Sequence, residues 1–466
     1  MFFSGNTSSG AISAIKNIFQ LNVVSRHEKY LGLPSMIGRK RSGFFNDIKL
    51  RVSSKITNWQ HKFFSCGGKE VLIKAMAQAV PAYAMSVFKL PLSTCNDIQQ
   101  VIAKFWWSSN KEKKGIHWAR WEKLSQAKQR GGLGFRDFAS FNQALVAKQS
   151  WRIIQFPNSL VARVLQARYF KNGQFLNARL GSKPSFIWRS ILWGRQVIHK
   201  GIRWRIGNGE QVEVYKGNWM PRPTTFKPFS PPSLPIDSRV SDLINAANQW
   251  NEGLINQHFG KEDVEMILRI PLPSRPMEDQ IVWHYDKKWI YSVKSGYQVA
   301  LKEKFPDIPS FSNQKTNQWS VIWTLSLPEK MKIFTWRALK NLLPTAENLW
   351  KRKVLPQPIC QLCGTKIETT AHALMECKSA HAVWKTTKLA ADIGNIAHQD
   401  IISFVHEAMR RMDAAINLEE HRVGLGIIIR DANKDVIAAA VKNTKLHSDV
   451  TFAEAEAMKW GLSVAA

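Results

Sequence analysis

The chain has 466 residues, enough for two to four domains, and 44% of them are hydrophobic, an ordinary share for globular cores. It has no apolar run of about 18 residues, and its first residues lack a basic stretch leading into an unbroken apolar one. These features argue against a membrane span and a secretory leader and for an intracellular, reducing compartment in which cysteines serve metals rather than disulfides.

The formal charge of +31 is unevenly placed. Residues 1–240 carry 38 Lys and Arg against 10 Asp and Glu, whereas residues 241–466 carry 28 against 25. A basic half points to a polyanion, most often nucleic acid. Because the charge is spread along the segment rather than gathered into a lysine-rich tail, it reads as folded surface.

Residues 1–155 are expected to be a basic helical region. Phe45, Ile48, Val52, Ile56 and Trp59 recur at three- and four-residue spacing and mark one helical face. KEVLIKAMAQAVPAYAMSVF reads as a second helix that Pro81 bends or breaks, and NDIQQVIAKFWW as a third. The glycines of GGLG, Gly131 to Gly134, interrupt the pattern before another helix from about Ser140. No Lys-Ser/Thr follows them, so a phosphate loop gains little support.

Residues 156–275 change character. RWRIGNGEQVEVY alternates on both sides of a Gly-Asn-Gly turn and predicts a β-hairpin, and PRPTTFKPFSPPSLPIDSR predicts an extended proline-rich linker. From Asp279 a pair of short strands is expected to lead into a helix. A strand or turn should follow near Trp319, then a helix from about Lys330.

Three of the five cysteines then fall in the pattern Cys360-x2-Cys363-x8-His372-x4-Cys377. Zinc takes four soft or borderline ligands at tetrahedral corners, and a C-x-x-C turn places two thiolates on one side of such an ion. His372 and Cys377 can complete the set from the first turns of a short helix. Four protein ligands leave no open position, so the site would be structural. His381 is a substitute ligand, and the alternative is three buried cysteines with a surface histidine. Cys66 and Cys95 have no partners at metal spacing.

Two carboxylates stand out near the end. Asp413 sits in a short apolar stretch, a costly place for a charge unless it binds something. Glu454 follows Thr451 in a capping-box pattern. Such a pair can hold Mg²⁺, but Asp413 at an exposed strand edge and Glu454 as a simple cap remain open. Between them VGLGIII and VIAAAV are expected to pair around the DANKD turn.

Within the basic half, Trp106, Trp107, Trp118 and Trp121 interleave with Lys104, Lys111, Lys113, Lys114, Arg120 and Lys123, and Arg39, Lys40 and Arg41 form a further cluster. The cations would neutralise phosphates, and an exposed tryptophan could stack on an unpaired base. The plain alternative is that these tryptophans are core.

KYLGLPSMIGRKR, ITNWQHKFFSCGGKEVLIKAMAQAVPAYAMSVFKLP, FWWSSNKEKKGIHWARWEKL and GGLGFRDFASFNQALVAKQSWRI resemble the region after the palm in plant LINE-type non-LTR retrotransposon reverse transcriptases. WHYDKKWIYSVKSGYQVA through CQLCGTKIETTAHALMEC is similar to that family's zinc-binding domain, and MDAAINLEEHRVGLGIIIRD with AEAEAMKWGL to the start of its RNase H domain. The resemblance implies a multidomain α+β chain: a thumb-like region over 1–155, a mixed connecting region over 156–275, a zinc-binding domain over 276–395 and an RNase H-like segment over 405–466. It implies structural Zn²⁺ on Cys360, Cys363, His372 and Cys377. It further implies that Asp413 and Glu454 are the first two Mg²⁺-binding carboxylates of an RNA–DNA hybrid ribonuclease.

No Tyr-x-Asp-Asp motif occurs, so no polymerase site is expected. The sequence ends at Ala466 within the helix expected to carry Glu454, which implies an incomplete ribonuclease site. The expected partner is nucleic acid (RNA, DNA or their hybrid), gripped through its backbone with weak sequence preference and with access to the nucleus. A ribonuclease completed by another chain and a zinc module that binds a protein are the alternatives.

Overall fold

The computed structural model describes residues 3, 6–20, 29–30, 33–34, 42–60, 64–108, 115–171, 173–222, 225–275, 277–305, 314–324, 327–385, 422–430 and 436–445. The chain divides into two compact units, Met1–Trp319 and Ser320–Ala466. It is mostly helical with small antiparallel strand pairs, a mixed α+β fold.

The first unit opens with α1 (Ser9–Phe19), whose start is capped by the Ser8 hydroxyl, and a short ribbon of β1 (Lys29–Tyr30) against β2 (Leu33–Pro34). In α2 (Ser42–Gln60) the expected face is the buried one: Phe45, Ile48, Val52 and Ile56 are inside, and Trp59 meets Phe105 at 5.9 Å. The second helix is interrupted as Pro81 requires, since proline brings no N–H. α3 (Cys66–Leu72) runs into one wide turn at Ile73–Ala77, and α4 (Ala82–Met85) is a single turn beyond Pro81. α5 (Leu92–Trp107) and the one-turn α6 (Trp121–Leu124) follow.

At the GGLG break, Gly131 (φ 77°) and Gly134 (φ 69°) adopt left-handed backbone. A Cβ on Gly132 would lie 2.1 Å from the Gln126 carbonyl oxygen, so the glycines serve a tight turn. α7 (Phe138–Gln155) begins where buried Asp137 accepts the N–H and hydroxyl of Ser140 at 2.9 and 2.8 Å. α8 (Leu160–Tyr169) and α9 (Phe186–His199) pack with it. α7 and α9 approach closely at Gly194, where a Cβ would sit 2.6 Å from the Ala147 backbone nitrogen.

The middle of the chain departs from expectation. The Gly-Asn-Gly segment does not close a hairpin. β3 (Ile202–Arg205) instead pairs antiparallel with β4 (Gln280–Trp283), Ile202 opposite Trp283 and Arg205 opposite Gln280. The cause is Asp279, buried at the head of β4. Its carboxylate accepts the N–H groups of Gly207 (2.6 Å), Gly209 (3.0 Å) and Gln211 (2.9 Å) and holds the loop open. The limb expected to complete the hairpin bonds elsewhere: Val240 N–H donates to Val212 O and Val214 N–H to Ser238 O. Asp279→Ala would strand two buried donors, the N–H groups of Gly207 and Gly209, and free that of exposed Gln211. We expect it to destabilise the first unit by about 2–3 kcal/mol, read as a lower urea midpoint, with Asp279→Asn costing less.

The proline-rich stretch is not a free linker. Phe226 is buried, and its carbonyl accepts the N–H groups of Trp219 and Met220. Arg222 pairs with buried Asp263 at 2.8 Å, and the same carboxylate accepts Phe229 N–H, Ser230 N–H and the Ser230 hydroxyl. These bonds fasten the stretch to α10 (Glu252–His258) and α11 (Lys261–Leu268) around a core of Val212, Trp219, Leu243 and Ile267.

Beyond β4 no second strand forms; Trp283 N–H donates to Trp289 O across a turn into α12 (Val293–Lys304). α12 packs on α7 and α9: the Tyr291 hydroxyl donates to Ala144 O at 2.8 Å, the Tyr297 hydroxyl accepts Asp137 N–H at 3.0 Å, and Lys304 pairs with Asp137 at 2.6 Å. Residues 280–304 thus share one core with the basic helices.

A helix, α13 (Gln314–Thr324), stands where a strand or turn was expected. The second unit contains α14 (Glu329–Leu339), α15 (Ala346–Lys351) and α16 (Lys378–Lys385), together with β5 (Arg422–Arg430) paired antiparallel with β6 (Val436–Lys445). That pairing is the one expected around DANKD, with a register shift at Ile429/Arg430. Among the described residues no helix is long and apolar enough to cross a membrane.

Candidate metal centre and basic face

The Cys/His segment is built on two small devices. Ile359 and Ile367 form one antiparallel bridge, Cys360 N–H donates to Lys366 O, and Gly364 N–H returns to Cys360 O at 2.8 Å. Gly364 turns the chain with φ 68°, so Cys360 and Cys363 share one knuckle. The second device is the turn His372–Glu376. It begins where the Thr369 hydroxyl accepts His372 N–H at 3.0 Å and ends where Cys377 N–H donates to His372 O at 2.9 Å. Asn341 ties the approach to the second device to α15. Its side-chain oxygen accepts the Thr370 hydroxyl at 2.7 Å and the Asn348 amide at 3.0 Å.

The four side chains converge. One ligand atom from each of Cys360, Cys363, His372 and Cys377 lies within 4.8 Å of all the others. Cys360 Sγ is 3.9 Å from Cys377 Sγ, and Cys363 Sγ is 3.4 Å from His372 Nε2. A tetrahedral zinc with Zn–S near 2.3 Å gives ligand–ligand edges of about 3.8 Å, so the donor set fits that ion in size and chemistry. Nε2 faces the thiolates. Nδ1 is buried without a hydrogen-bond partner, 3.9 Å from Glu376 Oε2, the place for an outer carboxylate that orients a ligating imidazole. Thr365 N–H and hydroxyl and Lys366 N–H hold the Cys363 thiol down to about 5, already thiolate at neutral pH. Burial pushes the Cys360 thiol up, so its ionisation calls for a cation alongside. His381 donates its backbone N–H to Cys377 O and is not part of the cluster.

Comparison with known proteins agrees with this geometry. Residues 291–384 match the family of zinc-binding domains in reverse transcriptases. An Arabidopsis thaliana protein bearing a ribonuclease H name is 30% identical over 370 residues, 76% of this chain and 57% of that protein. An uncharacterized mitochondrial protein of Arabidopsis thaliana is 42% identical over 153 residues, 33% of this chain and 99% of that relative. The chain belongs to the plant retrotransposon-derived reverse transcriptase and ribonuclease H-like family. It spans somewhat more than half the length of the first of these relatives.

The retrotransposon-type chain displays its other expected site residues less completely. Lys104 and Arg120 are exposed, at the last turn of α5 and the cap of α6. Arg39, Lys40, Arg41, Lys111, Lys113 and Lys114 lie outside the described residues, as do Asp413 and Glu454. Trp106, Trp107 and Trp121 are buried: Trp106 and Trp121 meet Phe135 at 5.3 and 5.6 Å. They are core, not stacking platforms: Lys104 faces outward from α5 while Trp106 and Trp107 turn inward, and Trp121 of α6 packs on the same Phe135. Trp118 is half-buried.

A stronger basic feature was missed by motif reading. From Phe138 to Gly209 the chain carries twelve Lys and Arg and not one Asp or Glu. Lys148, Arg152, Arg163, Arg168, Lys171, Arg179, Lys183 and Arg189 of this stretch are exposed. The signal was available as an absence of acids rather than as a cluster of bases.

Proposed function

We propose that this retrotransposon-derived chain binds nucleic acid through the basic surface of its first unit and carries a structural zinc centre in its second. The observation that carries the reading is the acid-free run over α7, α8 and α9, whose exposed cations include Lys148 and Arg152 on α7, Arg163 and Arg168 on α8 and Arg189 on α9. Phosphates neutralised by such cations release counterions, so affinity should fall about a thousandfold between 50 and 200 mM salt and depend little on sequence. Fluorescence anisotropy with an RNA–DNA hybrid at several salt concentrations tests this. Substituting Lys148, Arg152, Arg163 and Arg168 with glutamine should flatten the salt slope; a flat slope in the unaltered chain would remove the reading.

In this reading Cys360, Cys363, His372 and Cys377 hold Zn²⁺ with no open coordination position, so the ion supplies folding energy rather than chemistry.

A second reading is favoured by the ribonuclease H name of one relative and by the β5–β6 pair. Asp413 and Glu454 would then hold Mg²⁺ for cleavage of the RNA strand of a hybrid. Cleavage of a labelled hybrid that disappears in both Asp413→Asn and Glu454→Gln would support it. Hybrid binding without cleavage would leave the basic face and the zinc centre as the working parts.

A further inference from the structure

Between α2, the start of α5 and the start of α9 lies an open cleft of about 580 Å³. Its floor is apolar. Phe186 stacks on Phe88 at 5.7 Å and meets Phe45 edge-on at 6.1 Å, with Leu90 and Pro91 beside them. Its rim carries Lys49, Lys89 and Arg189, against one lining acid, Asp97, which is paired with Lys49 at 2.9 Å. Lys89 and Arg189 are exposed and have no carboxylate partner among the described residues; Lys89 lies over the Trp193 ring at 4.8 Å. Thr94 also lines the cleft. It is 9% exposed, and its hydroxyl has no hydrogen-bond partner among the described residues.

We propose that this cleft binds one unpaired nucleotide, its base against the Phe45–Phe186 floor and its phosphate between Lys89, Arg189 and the Thr94 hydroxyl. The volume suits a small ligand and excludes a duplex. An apolar aromatic floor beneath a cationic rim is the pairing that an aromatic base with an attached phosphate requires. Arg189 belongs to the acid-free run, so no carboxylate of its own helix competes for it. The inference rests on the nucleic-acid reading above but uses none of the cations named in its salt-slope test. The same chemistry is offered by a free nucleotide and by an unpaired residue of a strand.

The test is anisotropy of a short fluorescent single strand and of a blunt RNA–DNA hybrid, on the full chain and on the double variant Lys89→Glu/Arg189→Glu. Both positions are exposed, so the thermal midpoint should be unchanged. Single-strand affinity should fall about tenfold or more, and hybrid affinity, which the other exposed cations of the acid-free run also serve, by no more than about threefold. Competition by adenosine monophosphate, but not by adenosine or inorganic phosphate, would assign the cleft to free nucleotides as well. Strand binding that adenosine monophosphate does not displace would restrict it to strands. Unchanged single-strand affinity in the double variant overturns the inference, as does photocrosslinking of a 5-iodouracil strand to residues outside Phe45 and Phe186. If the hybrid does not bind the unaltered chain but the single strand does, and the variant loses it, the cleft stands and the hybrid reading falls.

Discussion

Cys360→Ser should release one zinc per chain and unfold the region from Ile359 to Lys385. Much of the local order runs through the four ligands: the Ile359–Ile367 bridge, the Gly364 turn and the His372–Glu376 turn each carry one or two of them. Structural zinc in modules of this kind contributes on the order of 10 kcal/mol of apparent binding energy, more than a short segment recovers from its own packing. Native mass spectrometry should show the mass of one zinc lost in Cys360→Ser, Cys377→Ser or His372→Ala. Hydrogen exchange should rise over the module and stay unchanged over α7 and α9. Glu376→Gln should weaken zinc affinity by about 10-fold, the usual effect of removing an outer partner, while leaving the fold in place. A folded, metal-free module at full protection would contradict this account.

Trp188→Ala is expected to be the most damaging substitution away from the metal. The indole is fully buried, stacked on Tyr169 at 4.6 Å with the ring planes 4° apart and on Phe170 at 5.8 Å, with Phe175 edge-on at 6.0 Å. Truncation removes the common partner of three aromatic rings and leaves a cavity between α8 and α9 that the Tyr169–Ser185 hydrogen bond resists closing. The loss should be about 3–5 kcal/mol, with Trp188→Phe well below that. Denaturant unfolding followed by fluorescence measures it, and zinc content should not change. A loss below about 1 kcal/mol would mean that the cluster is not a stabilising core.

Several parts of this protein were legible in the amino-acid order because their physics is local. Phe45, Ile48, Val52 and Ile56 share a face at helical spacing whatever lies opposite, and Pro81 breaks a helix in any setting. The Cys360–Cys377 spacing brings three thiols and an imidazole together within one short segment. VGLGIII and VIAAAV lie close together in the sequence, so their pairing needed no distant partner. The charge imbalance is a count and survives any fold.

What the sequence left undetermined depends on partners far along the chain. RWRIGNGEQVEVY carries a hairpin pattern, yet Asp279 captures its turn and β4 takes its first strand, because a buried carboxylate satisfied by three N–H groups outweighs a local turn preference. The proline-rich stretch reads as a linker until Asp263 binds it. Tryptophans set among lysines look like stacking platforms until Phe135 covers them. The cleft draws Lys49, Thr94 and Arg189 from three helices and Lys89 from the segment before α5, and no spacing in the sequence joins them. Local periodicity decides which face of an element is apolar; only tertiary packing decides what that face meets, and therefore which charges remain for a ligand.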